Sequence, residues 1–99
     1  MRLAVDPNVP DPAAILRAAD VLRSGGIVAG PTDTLYGLLA DPHSASAIDA
    51  IYALKGRSQG QPLPLVASSR AQLESLTGPL GGGTGVLASR FWPGPLTLL

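Results

Sequence analysis

The chain has 99 residues, which is enough for one domain with a modest core but not for two. Seven basic residues balance seven acidic ones, which excludes the overall positive field that drives tight, non-specific nucleic-acid binding. The absence of cysteine excludes disulfide bonds, thiolate zinc sites and a cysteine nucleophile.

The beginning of the chain does not resemble a targeting segment. Asp6 and Pro7 come before any apolar run can build, so we predict no secretory signal here. No apolar stretch approaches the roughly 20 residues that a membrane-spanning helix needs. We therefore expect a soluble protein of the cytoplasm with no membrane partner.

The first part of the sequence predicts a helix followed by two short strands. Asp11 before Pro12 is typical of a helix start, because aspartate caps free backbone N–H groups and proline fits the first helical position. The Ser-Gly-Gly segment at residues 24–26 predicts the end of this helix. The apolar run at residues 27–29 predicts a short buried strand, and residues 36–40 predict a second short strand.

The second part predicts three more helices and two more strands. A helix is expected from Ala45 to Lys55, with Gly56 in the left-handed conformation that ends it. Residues 63–67 predict a strand at a sheet edge or a bulge, because Pro64 cannot donate to a ladder. The other expected elements are a helix beginning at Ser69, a flexible connector at residues 81–85, a helix over residues 86–92 and a strand over residues 96–99.

The alternation of helices and strands predicts a layered α/β fold. The sequence shows no internal repeat and no second domain boundary, so residues 1–99 are expected to form the N-terminal part of a single domain. The sheet is expected to be truncated, since these strands alone would leave an apolar edge and an uncovered face.

Two short segments carry the candidate chemistry. Thr32, Thr34 and Tyr36 would share one face of an extended segment, and three hydroxyls on one face can bind the charged and polar groups of a small metabolite. Lys55 and Arg57 flank a glycine at a predicted helix end. There they could hold phosphate groups, lysine as a point charge and arginine as a bidentate fork.

Each segment also has an ordinary structural interpretation, which is favoured when the segment is taken alone. Pro-Thr-Asp-Thr is common turn chemistry, and cations at a helix C-terminus complement the helix dipole. One observation supports the phosphate site. No acidic residue lies between Arg57 and Glu74, so neighbours that follow in the sequence do not neutralise the two cations.

Five short motifs occur in a fixed order along the chain, and together they indicate a protein family far more specifically than any one of them does alone. They are Gly-Gly-Ile-Val-Ala, Pro-Thr-Asp-Thr-Leu-Tyr-Gly-Leu, Lys-Gly-Arg, Pro-Leu and Phe-Trp-Pro-Gly-Pro-Leu-Thr, at residues 25–29, 31–38, 55–57, 62–63 and 91–97. This order resembles the YrdC-like family of threonylcarbamoyl-AMP synthases, from about Asp11 to the last residue. The resemblance implies a YrdC-like twisted mixed sheet with helices packed on it.

The resemblance also implies a nucleotidyltransferase reaction. The amine of L-threonine takes up bicarbonate or carbon dioxide, and the resulting carbamate attacks the α-phosphate of ATP to give threonylcarbamoyl-AMP and pyrophosphate. A separate transferase complex then moves the threonylcarbamoyl group to an adenosine of tRNA, so the link to tRNA is indirect. Mg²⁺ is expected with the triphosphate, but the sequence offers no ligand for it.

The family motifs assign roles to the candidate residues. Lys55 and Arg57 match the Lys-x-Arg motif and are the expected catalytic and nucleotide-binding residues, which hold the triphosphate and the carbamate. Thr32, Thr34 and Tyr36 match the Pro-Thr-acidic-Thr-x-Tyr segment and are expected to line the threonine pocket.

The sequence departs from the family pattern in two places. Ser58 stands where the family commonly has proline, which could loosen the loop after Arg57. The Ser-x-Asn motif that completes the nucleotide and carbamate site in the family is absent, so we expect the N-terminal portion of a synthase.

Three alternatives stay open at this point. They are an inactive fragment, a tRNA or double-stranded RNA-binding module of the same fold, and a domain that uses carbamoyl phosphate. Zero net charge argues against the RNA module, and the intact Thr-Asp-Thr segment favours threonine over carbamoyl phosphate.

Overall fold

The computed structural model describes all 99 residues, which form four helices and two strands. These elements are α1 (Pro12–Arg23), β1 (Val28–Pro31), β2 (Tyr36–Leu39), α2 (Ala45–Lys55), α3 (Arg70–Thr77) and α4 (Gly82–Phe91). The chain divides into two compact units, Met1–Pro62 and Leu63–Leu99. None of the helices has both the length and the apolar character that a membrane crossing requires.

In the first unit, α1 leads into an antiparallel hairpin. The Asp11 carboxylate caps α1 as predicted, and Gly25, with a φ of 83°, turns the chain toward β1. Strands β1 and β2 pair so that Pro31 lies opposite Tyr36, which leaves residues 32–35 as the connection between them. Helix α1 packs against β1.

Helix α2 follows the hairpin and has the predicted bounds. The Ser44 hydroxyl caps it by accepting a hydrogen bond from the Ala47 N–H at 3.3 Å. Gly56 ends it in the left-handed conformation, with a φ of 62°. Ala47 and Ile51, one helical turn apart, are only 1% and 5% exposed and form the core of this unit.

In the second unit, the side chain of Arg70 joins α3 to α4. Its guanidinium donates to the Glu74 carboxylate at 2.8 Å, the Leu80 carbonyl at 3.0 Å and the Ser89 hydroxyl at 2.8 Å. Glu74 also accepts from the Leu80 N–H at 3.0 Å. At Gly85, a Cβ would lie 2.8 Å from the Leu80 carbonyl oxygen, so glycine is required for this close approach.

The contacts of Glu74 predict that the second unit is sensitive to acid. Hydrogen bonds from the Arg70 side chain and the Leu80 N–H lower the pKa of Glu74 below its ordinary value of 4.5. Such a carboxyl stabilises the fold above its unfolded pKa, and the contribution is lost as the pH falls through the folded pKa. In melting curves from pH 7 to pH 3, we expect wild type to lose more stability than Glu74→Gln. Equal losses would contradict this role.

Residues 81–85, predicted as a flexible connector, instead contribute the first turn of α4. The Gly85 N–H donates to the Gly81 carbonyl at 3.1 Å, the bond that opens the helix. Glycine disfavours a helix by about 1 kcal/mol per residue relative to alanine. The prediction was wrong because the close packing at Gly85 outweighs this local preference.

Two predicted strands are absent from the structure. Residues 63–67 and 96–99 form no ladder with another strand. The sheet therefore consists of β1 and β2 alone and is antiparallel rather than mixed. A strand exists only where backbone groups find a ladder partner, and apolar composition does not supply one. What the structure establishes is a small α/β fold with four helices and a two-stranded sheet.

The apolar face of α1 lies at the surface. No residue of α1 is buried, and Ile15 and Leu16 on that face are 52% and 60% exposed. An amphipathic pattern determines which face of a helix is apolar, but burial also needs a second element to pack on it.

Candidate functional site

The connection between β1 and β2 carries the three predicted hydroxyl residues but is not extended. Residues 33–35 form a bend, closed by a hydrogen bond of 3.1 Å from the Thr32 N–H to the Leu35 carbonyl. The Thr32 hydroxyl donates to the same carbonyl. The expectation that Thr32, Thr34 and Tyr36 share one face of an extended strand is therefore wrong, because turn hydrogen bonds bend the chain.

The hydroxyl of Thr32 is fully engaged within this turn. Besides donating once, it accepts from the N–H groups of Thr34 and Leu35 at 3.3 and 3.2 Å. A hydroxyl has one donor and two acceptor sites, so no hydrogen-bonding capacity remains. The side chains of Thr34 and Tyr36, by contrast, are exposed and form no hydrogen bond, and Tyr36 is 79% exposed.

The role of Thr32 can be tested through the amides that it binds. In Thr32→Val, we expect the amides of Thr34 and Leu35 to exchange with solvent about three- to tenfold faster, since one or two modest hydrogen bonds are lost. Thr32→Ser keeps the hydroxyl and should exchange like wild type. Nuclear magnetic resonance measures these rates, and equal rates in the valine and serine variants would rule out a hydroxyl effect.

The two predicted cations lie on either side of the glycine that ends α2. Lys55 is the last residue of the helix, and the Arg57 N–H donates to the Tyr52 carbonyl at 3.0 Å as the chain leaves it. Both side chains are exposed, and neither takes part in an ion pair of the structure. Both cations can therefore accept an anionic ligand without breaking a contact.

The loop after Arg57 is ordered by its own hydrogen bonds. The Gln61 N–H donates to the Ser58 carbonyl at 3.0 Å, and the Ser58 hydroxyl accepts from the Gly60 N–H at 3.3 Å. Ser58, expected to loosen this loop in place of proline, thus contributes two of its internal bonds.

No site for a metal ion is formed by this chain alone. The structure contains no group of three or more histidine, cysteine, aspartate or glutamate side chains that could hold one. A surface concavity of about 600 Å³ lies in the second unit, beside Arg70 and Arg90. It includes none of the predicted site residues, and protein partners already engage the Arg70 guanidinium.

One family profile and several known proteins match this chain. The profile of the Sua5/YciO/YrdC family, described as "Telomere recombination", matches residues 20–99. The chain is 45% identical over 85 residues to a threonylcarbamoyl-AMP synthase of Bacillus subtilis, which covers 86% of this chain and 25% of that protein. It is 41% identical over 86 residues to a threonylcarbamoyl-AMP synthase of Halorhodospira halophila, and this match covers 87% of this chain and 45% of that protein.

A synthase of Pyrococcus abyssi is 44% identical over 82 residues, which is 83% of this chain and 24% of that protein. The chain thus spans between about a quarter and just under half of these relatives' lengths. The match lies in their N-terminal portion. No solved structure matches this chain. The family match at residues 20–99 includes the hairpin turn and both cations.

Proposed function

The chain belongs to the Sua5/YciO/YrdC family, and on this basis we propose that it provides the N-terminal portion of a threonylcarbamoyl-AMP synthase. The proposed reaction converts L-threonine, bicarbonate and ATP into threonylcarbamoyl-AMP and pyrophosphate. The observation that carries the proposal is that one compact unit holds both a turn with free hydroxyl groups and an unpaired Lys-Gly-Arg segment. The names of the relatives favour this function over an inactive fragment or an RNA-binding module.

In this proposal the hairpin turn binds L-threonine. The amine of threonine must stay free to form the carbamate, so the protein has to hold its carboxylate and side-chain hydroxyl. The free hydroxyls of Thr34 and Tyr36 can donate to a carboxylate and accept from an alcohol. Thr32 lines the pocket and fixes the backbone that carries Thr34.

Lys55 and Arg57 bind the triphosphate and the carbamate in the same proposal. When the carbamate oxygen attacks the α-phosphate, the bond between the α-phosphate and the pyrophosphate breaks. Negative charge then builds on the pyrophosphate as it leaves. The Arg57 guanidinium can contact two oxygens at once, and the Lys55 ammonium acts as a compact charge. Catalysis then consists of positioning the reactants and stabilising phosphate charge.

Mg²⁺ is expected to accompany the triphosphate of ATP in the proposed reaction. Mg²⁺ usually binds through one or two carboxylates together with substrate phosphates, where it adds positive charge. The structure contains no group of three or more ligating side chains that would hold the ion without substrate, and we assign no step to it. We place residues 1–99 in the N-terminal part of a single YrdC-like domain, whose complete sheet would be mixed although β1 and β2 by themselves are antiparallel. The product would pass to a transferase acting on tRNA, in the cytoplasm, where ATP and threonine are available.

Pyrophosphate release from ATP by the full-length protein tests the proposal. Release should require L-threonine and bicarbonate together, and omission of either should reduce it to background. L-valine is the matched control, because it has the shape of threonine but lacks the hydroxyl. Release that continues unchanged without threonine would refute the function. A steeply salt-dependent affinity for tRNA, with no release, would favour the RNA-binding module instead.

A further inference from the structure

Two side-chain hydrogen bonds tie the loop after α2 back onto the helix. The Tyr52 hydroxyl donates to the Gln61 carbonyl oxygen at 2.5 Å, and the Gln59 Nε2 atom donates to the Asp49 Oδ1 atom at 3.0 Å. The partners are nine and ten residues apart in the chain. Neither bond therefore belongs to the regular pattern of a helix or a tight turn.

We propose that Asp49 and Tyr52 are positioning residues for Arg57, a role that rests on the proposed function. Tyr52 holds the chain on both sides of Arg57: its carbonyl accepts from the Arg57 N–H at 3.0 Å, and its hydroxyl binds Gln61. Asp49 precedes Tyr52 by three residues, which places both side chains on one face of α2. We call Asp49 and Tyr52 the α2 latch.

The loop between the two anchor points is also closed on itself. The Gln61 N–H donates to the Ser58 carbonyl at 3.0 Å, so the bond from Tyr52 restrains the turn as a whole. Arg57 therefore leaves the helix on a backbone fixed before and after it. Its guanidinium is exposed and forms no ion pair, so it can bind a phosphate group without breaking a contact.

The α2 latch is expected to order the loop that carries Arg57 before the ligand binds. A loop that becomes ordered only when the ligand binds loses conformational entropy, and this loss reduces the affinity. A loop held in advance avoids the loss and keeps the cation close to its reactive position. Lys55 lies within the helix itself, so the latch is expected to act on Arg57 alone.

Tyr52→Phe in the full-length protein is the direct test, because it removes one hydroxyl and keeps the ring. We expect kcat/KM for ATP to fall about three- to tenfold, the fold-change for losing one modest hydrogen bond. The KM for L-threonine should stay unchanged. Gln59→Ala, which breaks the other contact without altering the helix, should give a change in the same direction. Asp20→Asn is the control, since its exposed ion pair with Arg23 lies on α1.

A double-mutant cycle separates a positioning role from a merely structural one. If Tyr52 acts through Arg57, then Tyr52→Phe should cause no further loss in an Arg57→Ala background, whereas independent effects would multiply. The readout is the affinity for ATP measured by calorimetry, which needs no turnover. Multiplying effects would overturn the proposal.

Amide exchange keeps this proposal distinct from the proposed function. The Gln61 N–H donates to the Ser58 carbonyl within the turn that the Tyr52 hydroxyl restrains through the Gln61 carbonyl. In Tyr52→Phe, we expect this N–H to exchange about three- to tenfold faster than in wild type, because the turn opens more easily once that restraint is lost. Unchanged exchange would overturn the α2 latch whatever the activity. Wild-type protein that releases no pyrophosphate would instead refute the proposed function, and with it the role in catalysis, while faster exchange would still demonstrate the contact.

Discussion

Replacing Arg57 by alanine should lower the rate of pyrophosphate release about 100-fold or more, and Lys55→Ala should act in the same way. Removing one preorganised group that stabilises transition-state charge typically costs a factor of about 10²–10³ in rate. Threonine binding should be largely retained in both variants, because the proposed contacts to threonine lie in the hairpin turn. A continuous assay of pyrophosphate release and calorimetric titration with L-threonine measure the two quantities.

Two further variants show whether the effect is specific. Arg57→Lys keeps the charge but loses the bidentate fork, so its rate should fall between wild type and alanine. Arg17→Ala removes an exposed cation from α1 and should leave release unchanged. If Arg57→Ala and Lys55→Ala release pyrophosphate at the wild-type rate, the phosphate site has been misplaced.

Thr34→Val should weaken L-threonine more than ATP. The substitution keeps the shape of the side chain but removes the hydroxyl, which would leave a polar group of the bound amino acid without a partner. Such a loss typically costs about 1–3 kcal/mol. We expect the Kd for L-threonine to rise accordingly in calorimetric titrations, while the Kd for ATP changes little.

The serine variant is the matched control for this prediction. Thr34→Ser retains the hydroxyl and should bind L-threonine nearly as well as wild type does. Thr34→Val should also leave the turn intact, because Thr32 binds the backbone of residue 34 and not its side chain. Equal weakening of L-threonine and ATP would count against the separate assignments of the turn and the cations.

Features with a local physical cause could be predicted from the sequence. Asp11 and Ser69 cap α1 and α3 because a short polar side chain reaches free N–H groups within three residues. Gly56 ends α2 in the left-handed conformation because only glycine adopts it at little cost. The family was also predictable, since its motifs are contiguous stretches in a fixed order, and the family profile confirms it.

Features that depend on a partner elsewhere in the chain could not be predicted. Residues 63–67 have the composition of a strand but no strand beside them. The hairpin turn shows a subtler limit. The alternation of Thr32, Thr34 and Tyr36 suits an extended strand, but the bonds from the Thr32 hydroxyl decide in favour of a turn.

The contacts proposed to position Arg57 could not be predicted from the sequence either. The contacts of Asp49 and Tyr52 span nine or ten residues, and no local pattern reports them. The one available signal is weak: the two residues are spaced to share a face of α2, just before the loop that carries Arg57. Arg70 was missed for the same reason, because its bond to Ser89 spans 19 residues.

The central claim is that the amino acid and the nucleotide bind next to each other on the first unit. A crystal structure of the full-length protein with L-threonine and a non-hydrolysable ATP analogue tests it most directly. The expected result is threonine at the Thr34 hydroxyl, the triphosphate at Lys55 and Arg57, and both ligands in one cavity. Ligands bound on separate surfaces, or a triphosphate away from both cations, would contradict the account.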